Sequence, residues 1–168
     1  MKKKFIIAAI VASVGGFALH FLYDALPSVL SALISPVNES VWEHLKLLFW
    51  PTLLAAFVLS QNSAKPERLW ASFFCVLLGM PVFLVGMYYL LKGGFGITSH
   101  FLNIGLYFLT MGLGFFFAWF LYAKCRLEKA GGFLLLLVLL YGACLILFSF
   151  AAPPLDIFTP PAGLYLAL

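Results

Sequence analysis

Charge is the scarcest ingredient of this sequence. Only 10% of its 168 residues are Asp, Glu, Lys or Arg, against 64% hydrophobic and 18% aromatic. A soluble domain carries about 25% charged residues, so there is too little charge here to cover a water-facing surface. That excludes an ordinary soluble globular domain. Cysteine is scarce as well. Cys75, Cys125 and Cys144 are odd in number, widely spaced and form no CxxC pair. This excludes a disulfide framework and a thiolate metal centre, and leaves them as small apolar packing residues. A basic stripe interleaved with aromatics on a solvent-facing element is also missing, which excludes nucleic acid as a partner despite the net charge of +4.

What is present is apolar sequence in long runs. Five are long enough to cross a bilayer of about 30 Å, which takes roughly 20 helical residues: 5–23, 41–59, 69–91, 101–123 and 132–150. The expected fold is therefore all-α, a polytopic membrane helix bundle with five transmembrane helices. With no soluble segment, internal repeat or low-complexity tract, residues 1–168 read as one integral membrane domain. The first run could be mistaken for a cleaved signal sequence, but it continues through "HFLY" without a clean small-x-small cleavage site. Residues 27–36, "PSVLSALISP", are apolar but too short to span, and are expected as an interfacial or re-entrant helix. Residues 151–168 carry four prolines, so they cannot form one regular helix. They are expected to lie across the outer surface, held by Phe158, Leu164 and Tyr165.

Lys/Arg bias in short loops orients such bundles. Lys2, Lys3, Lys4, Lys65, Arg68, Lys124, Arg126 and Lys129 all fall on one side of a five-span arrangement, leaving Lys46 and Lys92 on the other. This predicts a cytoplasmic N-terminus and an outside C-terminus.

With that orientation the polar inventory sorts by side. Glu67 and Glu128 stand beside basic residues in cytoplasmic connectors. Asp24, Glu39, Glu43, Asp156 and all three histidines, His20, His44 and His100, gather at the outer level. His20 and Asp24 are four apart, so on one continuous helix the carboxylate can orient the imidazole. In "NESVWEH", Ser40 and Glu43 have the form of a capping box, Glu39 and Glu43 suit a helix N-terminus, and Glu43 can pair with Lys46 at i,i+3. Capping does not explain His44, about 100° round the helix from Glu43. One histidine from each of three helices is a suitable ligand set for Zn²⁺ or another first-row ion.

The stretches "HFLYD", "PVNESVWEHLKLLFWP" and "FTPP" resemble a family of small bacterial integral membrane proteins of unknown function, with "PVNESVWEHLK" the most specific piece. That resemblance implies a five-span protein of the bacterial cytoplasmic membrane and no established activity. The shorter run "NESVWEHL" is similar to the Asn-Glu…Trp-x-His-Leu run of the progestin and adiponectin receptor proteins, which resemble zinc-dependent intramembrane hydrolases. It implies Glu39 and His44 as the matching positions. Those proteins have seven spans and a late histidine pair, whereas no histidine follows His100 here.

Three functions are expected from these residues. The first is metal-assisted hydrolysis of a lipid-like or membrane-bound substrate: His20, His44 and His100 hold the ion, Asp24 orients, and Glu43 is the general base. The second is transport of an ion or small solute, since intramembrane ionisable residues often mark such paths. Against it, spans two, three and five carry almost no polar residues in their cytoplasmic halves. The third is a structural or partner-binding role without catalysis, in which the outer cluster locks helix ends together.

Overall fold

A bilayer core offers no water to backbone N–H and C=O groups, so an apolar run satisfies them within itself, as a helix. The computed structural model describes residues 1–160, and among these the chain is helical with no strand. Among the described residues four helices are long and apolar enough to cross a membrane, which makes this a membrane protein. They are α4 (Val41–Gln61), α5 (Pro66–Tyr89, continued by a π-helical turn to Gly94), α6 (His100–Lys124) and α7 (Gly131–Phe150). Ahead of them come α1 (Lys2–Leu19), α2 (Leu22–Ala25) and α3 (Val29–Ile34).

Helix α1 is shorter than the run expected at 5–23. Its first three residues are lysines, and Phe5–Leu19 spans only about 22 Å at 1.5 Å per residue. The expected interfacial segment within 27–36 is α3. Its start is fixed by Ser28 and Ser31, which cap one another reciprocally: Ser28 Oγ accepts from the Ser31 N–H at 3.1 Å, and Ser31 Oγ from the Ser28 N–H at 3.0 Å. Of the expected tail contacts, Phe158 packs on Trp42 at 4.9 Å and Phe148 at 5.3 Å between ring centroids. Leu164 and Tyr165 lie outside the described residues.

Helix α5 is central and touches α4, α6 and α7, while α1 packs on α4 and α6. Ile7, Val11, Leu54, Val82, Phe133 and Leu139 point outward with more than half of their surface exposed. A lipid-facing exterior is apolar in this way. Inside, Phe5 reaches from α1 to Phe73 at 5.7 Å and Tyr122 at 5.8 Å, and Phe73 meets Phe115 at 5.5 Å.

The α1–α4 approach depends on a pairing of proline and glycine. Pro51 has no N–H, so the Leu47 carbonyl one turn earlier has no helical donor. Gly16 of α1 packs against it, and a Cβ there would meet that oxygen at 2.6 Å and also collide with the Tyr107 hydroxyl. Tyr107 meanwhile donates to the Ser13 carbonyl at 2.9 Å, tying α6 to α1.

Above this level sits a buried ion pair. Lys46 and Glu43 side chains are 0% and 2% exposed, with Lys46 Nζ 2.7 Å from Glu43 Oε2. Nζ also donates to the Ala32 carbonyl at 2.6 Å and the Ser35 carbonyl at 3.2 Å. Glu43 Oε2 accepts from the Val37 N–H at 2.9 Å, and its Oε1 from Ser149 Oγ at 2.7 Å. One clasp thus joins α3, the 35–37 connector, α4 and α7. The i,i+3 pair expected from sequence forms, with three further elements fastened to it.

Two stability measurements follow, both read as unfolding in mild detergent. Gly16→Ala is expected to cost about 1–3 kcal/mol through overpacking, while Gly15→Ala, whose Cβ meets nothing within 4 Å, is expected to be near neutral. Lys46→Met strands the Glu43 carboxylate and is expected to cost about 3–5 kcal/mol. A loss below about 1 kcal/mol would show that the carboxylate is solvated rather than clasped.

Candidate metal centre

The site is assembled where α1 ends and α4 begins. Helix α1 stops at Leu19 because Ser35 captures the break: its Oγ donates to the Leu19 carbonyl at 2.6 Å and accepts from the Tyr23 N–H at 3.2 Å. His20 is the cap residue at this break, and Asp24 falls in the separate short helix α2. The expectation that both share a face of one continuous helix is therefore corrected. The Asp24 side chain is exposed and makes no hydrogen bond among the described residues.

On the α4 side, Asn38 Oδ1 accepts from the Ser40 N–H at 2.8 Å, an Asx turn that swings Glu39 back over the helix start. Ser40 is the N-cap and accepts from the Glu43 N–H at 3.3 Å. His44 then lies in the first turn, with its Nδ1 2.7 Å from the Ser40 carbonyl.

These turns bring three side chains together. Glu39 Oε1 lies 3.6 Å from His20 Nε2, and Glu39 Oε2 lies 3.4 Å from His44 Nε2. The imidazole centroids are 5.1 Å apart with planes 33° from parallel. One ligand atom from each residue falls within 4.8 Å of the others. The side chains are 24% (His20), 31% (His44) and 37% (Glu39) exposed, so the cluster is reachable from outside.

The hydrogen bond at Ser40 decides the chemistry of His44. A carbonyl only accepts, so Nδ1 carries the proton and Nε2 turns toward Glu39. An ionised carboxylate also only accepts. The Nε2 side of the ring therefore faces Glu39 favourably either as imidazolium or with a cation between them. The same carbonyl fixes ring orientation, as outer-shell partners do for ligand histidines. His44 beside it holds the Glu39 carboxyl below the usual carboxylate range, against the opposing effect of burial, with lesser help from His20 and His100. Donor atoms around a tetrahedral zinc at 2.0–2.2 Å stand about 3.3 Å apart. The two Glu39–His separations, 3.6 and 3.4 Å, run to different carboxylate oxygens, and with one donor per residue the set spreads over as much as 4.8 Å, so holding one ion would draw the three side chains closer.

The residues expected from sequence divide clearly. His20 and His44 come together, and His100 does not join their cluster: it is exposed at the first residue of α6. Glu43 lies adjacent in sequence but faces inward, committed to Lys46, Val37 and Ser149. Spacing accounts for Glu39 only as a helix-end charge and the resemblance of "NESVWEHL" alone sets it beside His44, whereas in the structure it is the carboxylate that both histidines face. The signal for it was Asn38-x-Ser40, an Asx-turn pattern that takes residue 39 off the helix axis. Ser40 as orienting carbonyl had no sequence signal, since every residue has a carbonyl.

No curated protein and no solved structure matches the chain. Neither comparison adds to the likeness of "NESVWEHL" to the progestin and adiponectin receptor proteins. A family model does match, over residues 1–164, and the protein belongs to that family, a family of unknown function (DUF6512).

Proposed function

We propose that this is a multi-pass membrane protein that holds a divalent first-row cation, Zn²⁺ foremost, on His20, Glu39 and His44. The ion would serve as a Lewis acid in hydrolysis of a lipid-like or membrane-bound substrate. One observation carries the reading: two imidazoles and a carboxylate, partly exposed, offer ligand atoms within 4.8 Å of one another. Three protein ligands leave coordination room for water and a substrate oxygen, the arrangement of catalytic rather than structural zinc. An ion held there would supply Lewis acidity and an activated water at neutral pH without a separate strong base. That suits a site in which Glu43 is engaged elsewhere. Ser40 takes the orienting role for His44 that was expected of Asp24 for His20.

The same reading includes topology. We take α1 as a fifth, short crossing, with the N-terminus cytoplasmic and the C-terminus outside, in a bacterial cell membrane. The support is the grouping of Lys2, Lys3, Lys4, Lys65, Arg68, Lys124, Arg126 and Lys129 at one end of the bundle. The metal cluster then opens outward.

A structural role accounts well for Glu43, Lys46 and Ser35, which are buried and satisfied by one another and by backbone. It does not account for two partly exposed imidazoles aimed at one carboxylate. The deciding experiment is elemental analysis of untagged protein in mild detergent after incubation with Zn²⁺ and desalting. About one zinc per chain is expected, dropping at least tenfold in His44→Ala and in Glu39→Ala and unchanged in His100→Ala. Retention of metal in His44→Ala, or none in the parent chain, overturns the site.

A further inference from the structure

A row of aromatic rings continues the His20–Glu39–His44 cluster into the lipid. The His20 imidazole meets Phe21 edge-on, with ring centroids 5.1 Å apart. Phe21 meets Phe17 of α1 at 5.6 Å, and Phe17 meets Phe108 of α6 at 5.9 Å. The row therefore starts at His20, crosses the seam between α1 and α6, and ends about two turns into α6. Phe21 is 53%, Phe17 36% and Phe108 40% exposed, so the row is open along its length on the lipid-facing exterior. At the helical rise Phe108 lies about 12 Å below the first residue of α6. In a hydrocarbon core about 30 Å thick, that is a depth acyl chains occupy.

The two ends of the row differ in kind. At one end stand the polar atoms of His20, Glu39 and His44, and at the other only apolar rings in lipid. A molecule that fits both carries a polar group at the head of an apolar chain. The acyl carbonyl of a membrane lipid is such a group, standing where the hydrocarbon begins. The apolar run of α1 gives out at that same level, at His20.

Charge separates an acyl carbonyl from a phosphate ester. Asp24, Glu39 and Asp156 stand at this end of the bundle, Asp24 and Asp156 exposed. Against them are two lysines and no arginine. Lys46 is enclosed by Glu43 and two carbonyls, and Lys92 Nζ lies 5.7 Å from the centre of the Tyr88 ring. Neither lysine pairs with Glu39, whose partners are His20 and His44. Phosphoryl oxygens are ordinarily held by Arg and Lys, and no such group is paired to the cluster. A neutral carbonyl needs none.

We propose that this row is the acyl-chain track of the metal centre, and that the substrate is a neutral lipid ester or amide entering sideways between α1 and α6. Its carbonyl oxygen comes to the cluster, and its chain lies along Phe21, Phe17 and Phe108. Water gives its oxygen to the acyl carbon as the bond from that carbon to oxygen or nitrogen breaks. The alcohol or amine leaves with a proton, and a fatty acid remains. This rests on the metal centre proposed above and adds which bond is cut and how the substrate arrives.

The test uses the full chain in mild detergent, loaded with Co²⁺, whose visible spectrum reports a new oxygen ligand. The probes are dodecanoate, dodecyl phosphate and acetate. Dodecyl phosphate has the same chain as dodecanoate and partitions alike into detergent, yet dodecanoate is expected to bind about tenfold tighter, or more. Phe17→Ala with Phe21→Ala is expected to weaken dodecanoate about tenfold, the loss of roughly ten carbon–carbon contacts. Acetate binding and cobalt content are expected to stay unchanged in that variant. Should it fail to fold, as circular dichroism and elution profile read, Phe108→Ala on the other helix carries the comparison and is expected to weaken dodecanoate alone. The zinc-loaded chain is expected to release fatty acid from a diacylglycerol or a fatty-acid ethanolamide. Dodecyl phosphate binding as tightly as dodecanoate, full dodecanoate affinity in the phenylalanine variants, or no fatty acid from either lipid overturns the proposal with the metal centre intact. A chain that holds no metal by elemental analysis overturns the metal centre, and this proposal with it.

Discussion

Burying a lysine in a membrane-embedded helix is the constraint around which the rest of this protein is arranged. Lys46 is 0% exposed, one turn and a half into α4. An unpaired ammonium at such a place costs several kcal/mol at least, so every donor on it must find an acceptor. Glu43 provides one, and the carbonyls of Ala32 and Ser35 provide the others. Those carbonyls are available because α3 ends at Ile34 and leaves its last oxygens without helical donors. The short helix that cannot span the membrane is therefore present for its frayed end. Its approach to α4 is fixed a second time by Trp50 Nε1, which donates to the Leu33 carbonyl at 3.0 Å.

The same first turn of α4 serves two purposes on two sides. Glu43 looks inward to the clasp, and His44, about 100° further round, looks toward the broken end of α1. Ser35 belongs to both arrangements: its carbonyl accepts from Lys46, and its hydroxyl holds the Leu19–Tyr23 break at which His20 sits. The rigidity of the histidine–carboxylate cluster thus comes from the ion pair beneath it. A site at the rim of a bundle needs such backing, because partly exposed side chains have little packing of their own to hold them.

Much of this was legible in the sequence, and the remainder follows a physical pattern. The helical class, the four long apolar helices, the Ser40 cap and the Glu43–Lys46 pair are all properties of local spacing. Local spacing also located the short helix within 27–36. What spacing could not give was direction after a break. His20 and Asp24 at i,i+4 imply a shared face only if the helix continues, and the residue that ends it, Ser35, lies far along the chain. His100 sits at an apolar-run boundary like the other two histidines, but a shared level does not imply a shared azimuth around the bundle. Glu39 illustrates the converse. One position before an N-cap, a side chain is free of helical geometry and takes whatever direction its turn imposes.

The hydrogen bond from Ser149 to Glu43 connects residues 106 apart in sequence, and its meaning is one of chronology. During synthesis α4 emerges long before α7, so the Glu43 carboxylate can have Lys46 and Val37 as partners while its second oxygen still lacks Ser149. Without α7 that oxygen has no protein donor among the described residues. The polar start of α4 is thus dry only in a bundle that α7 has closed.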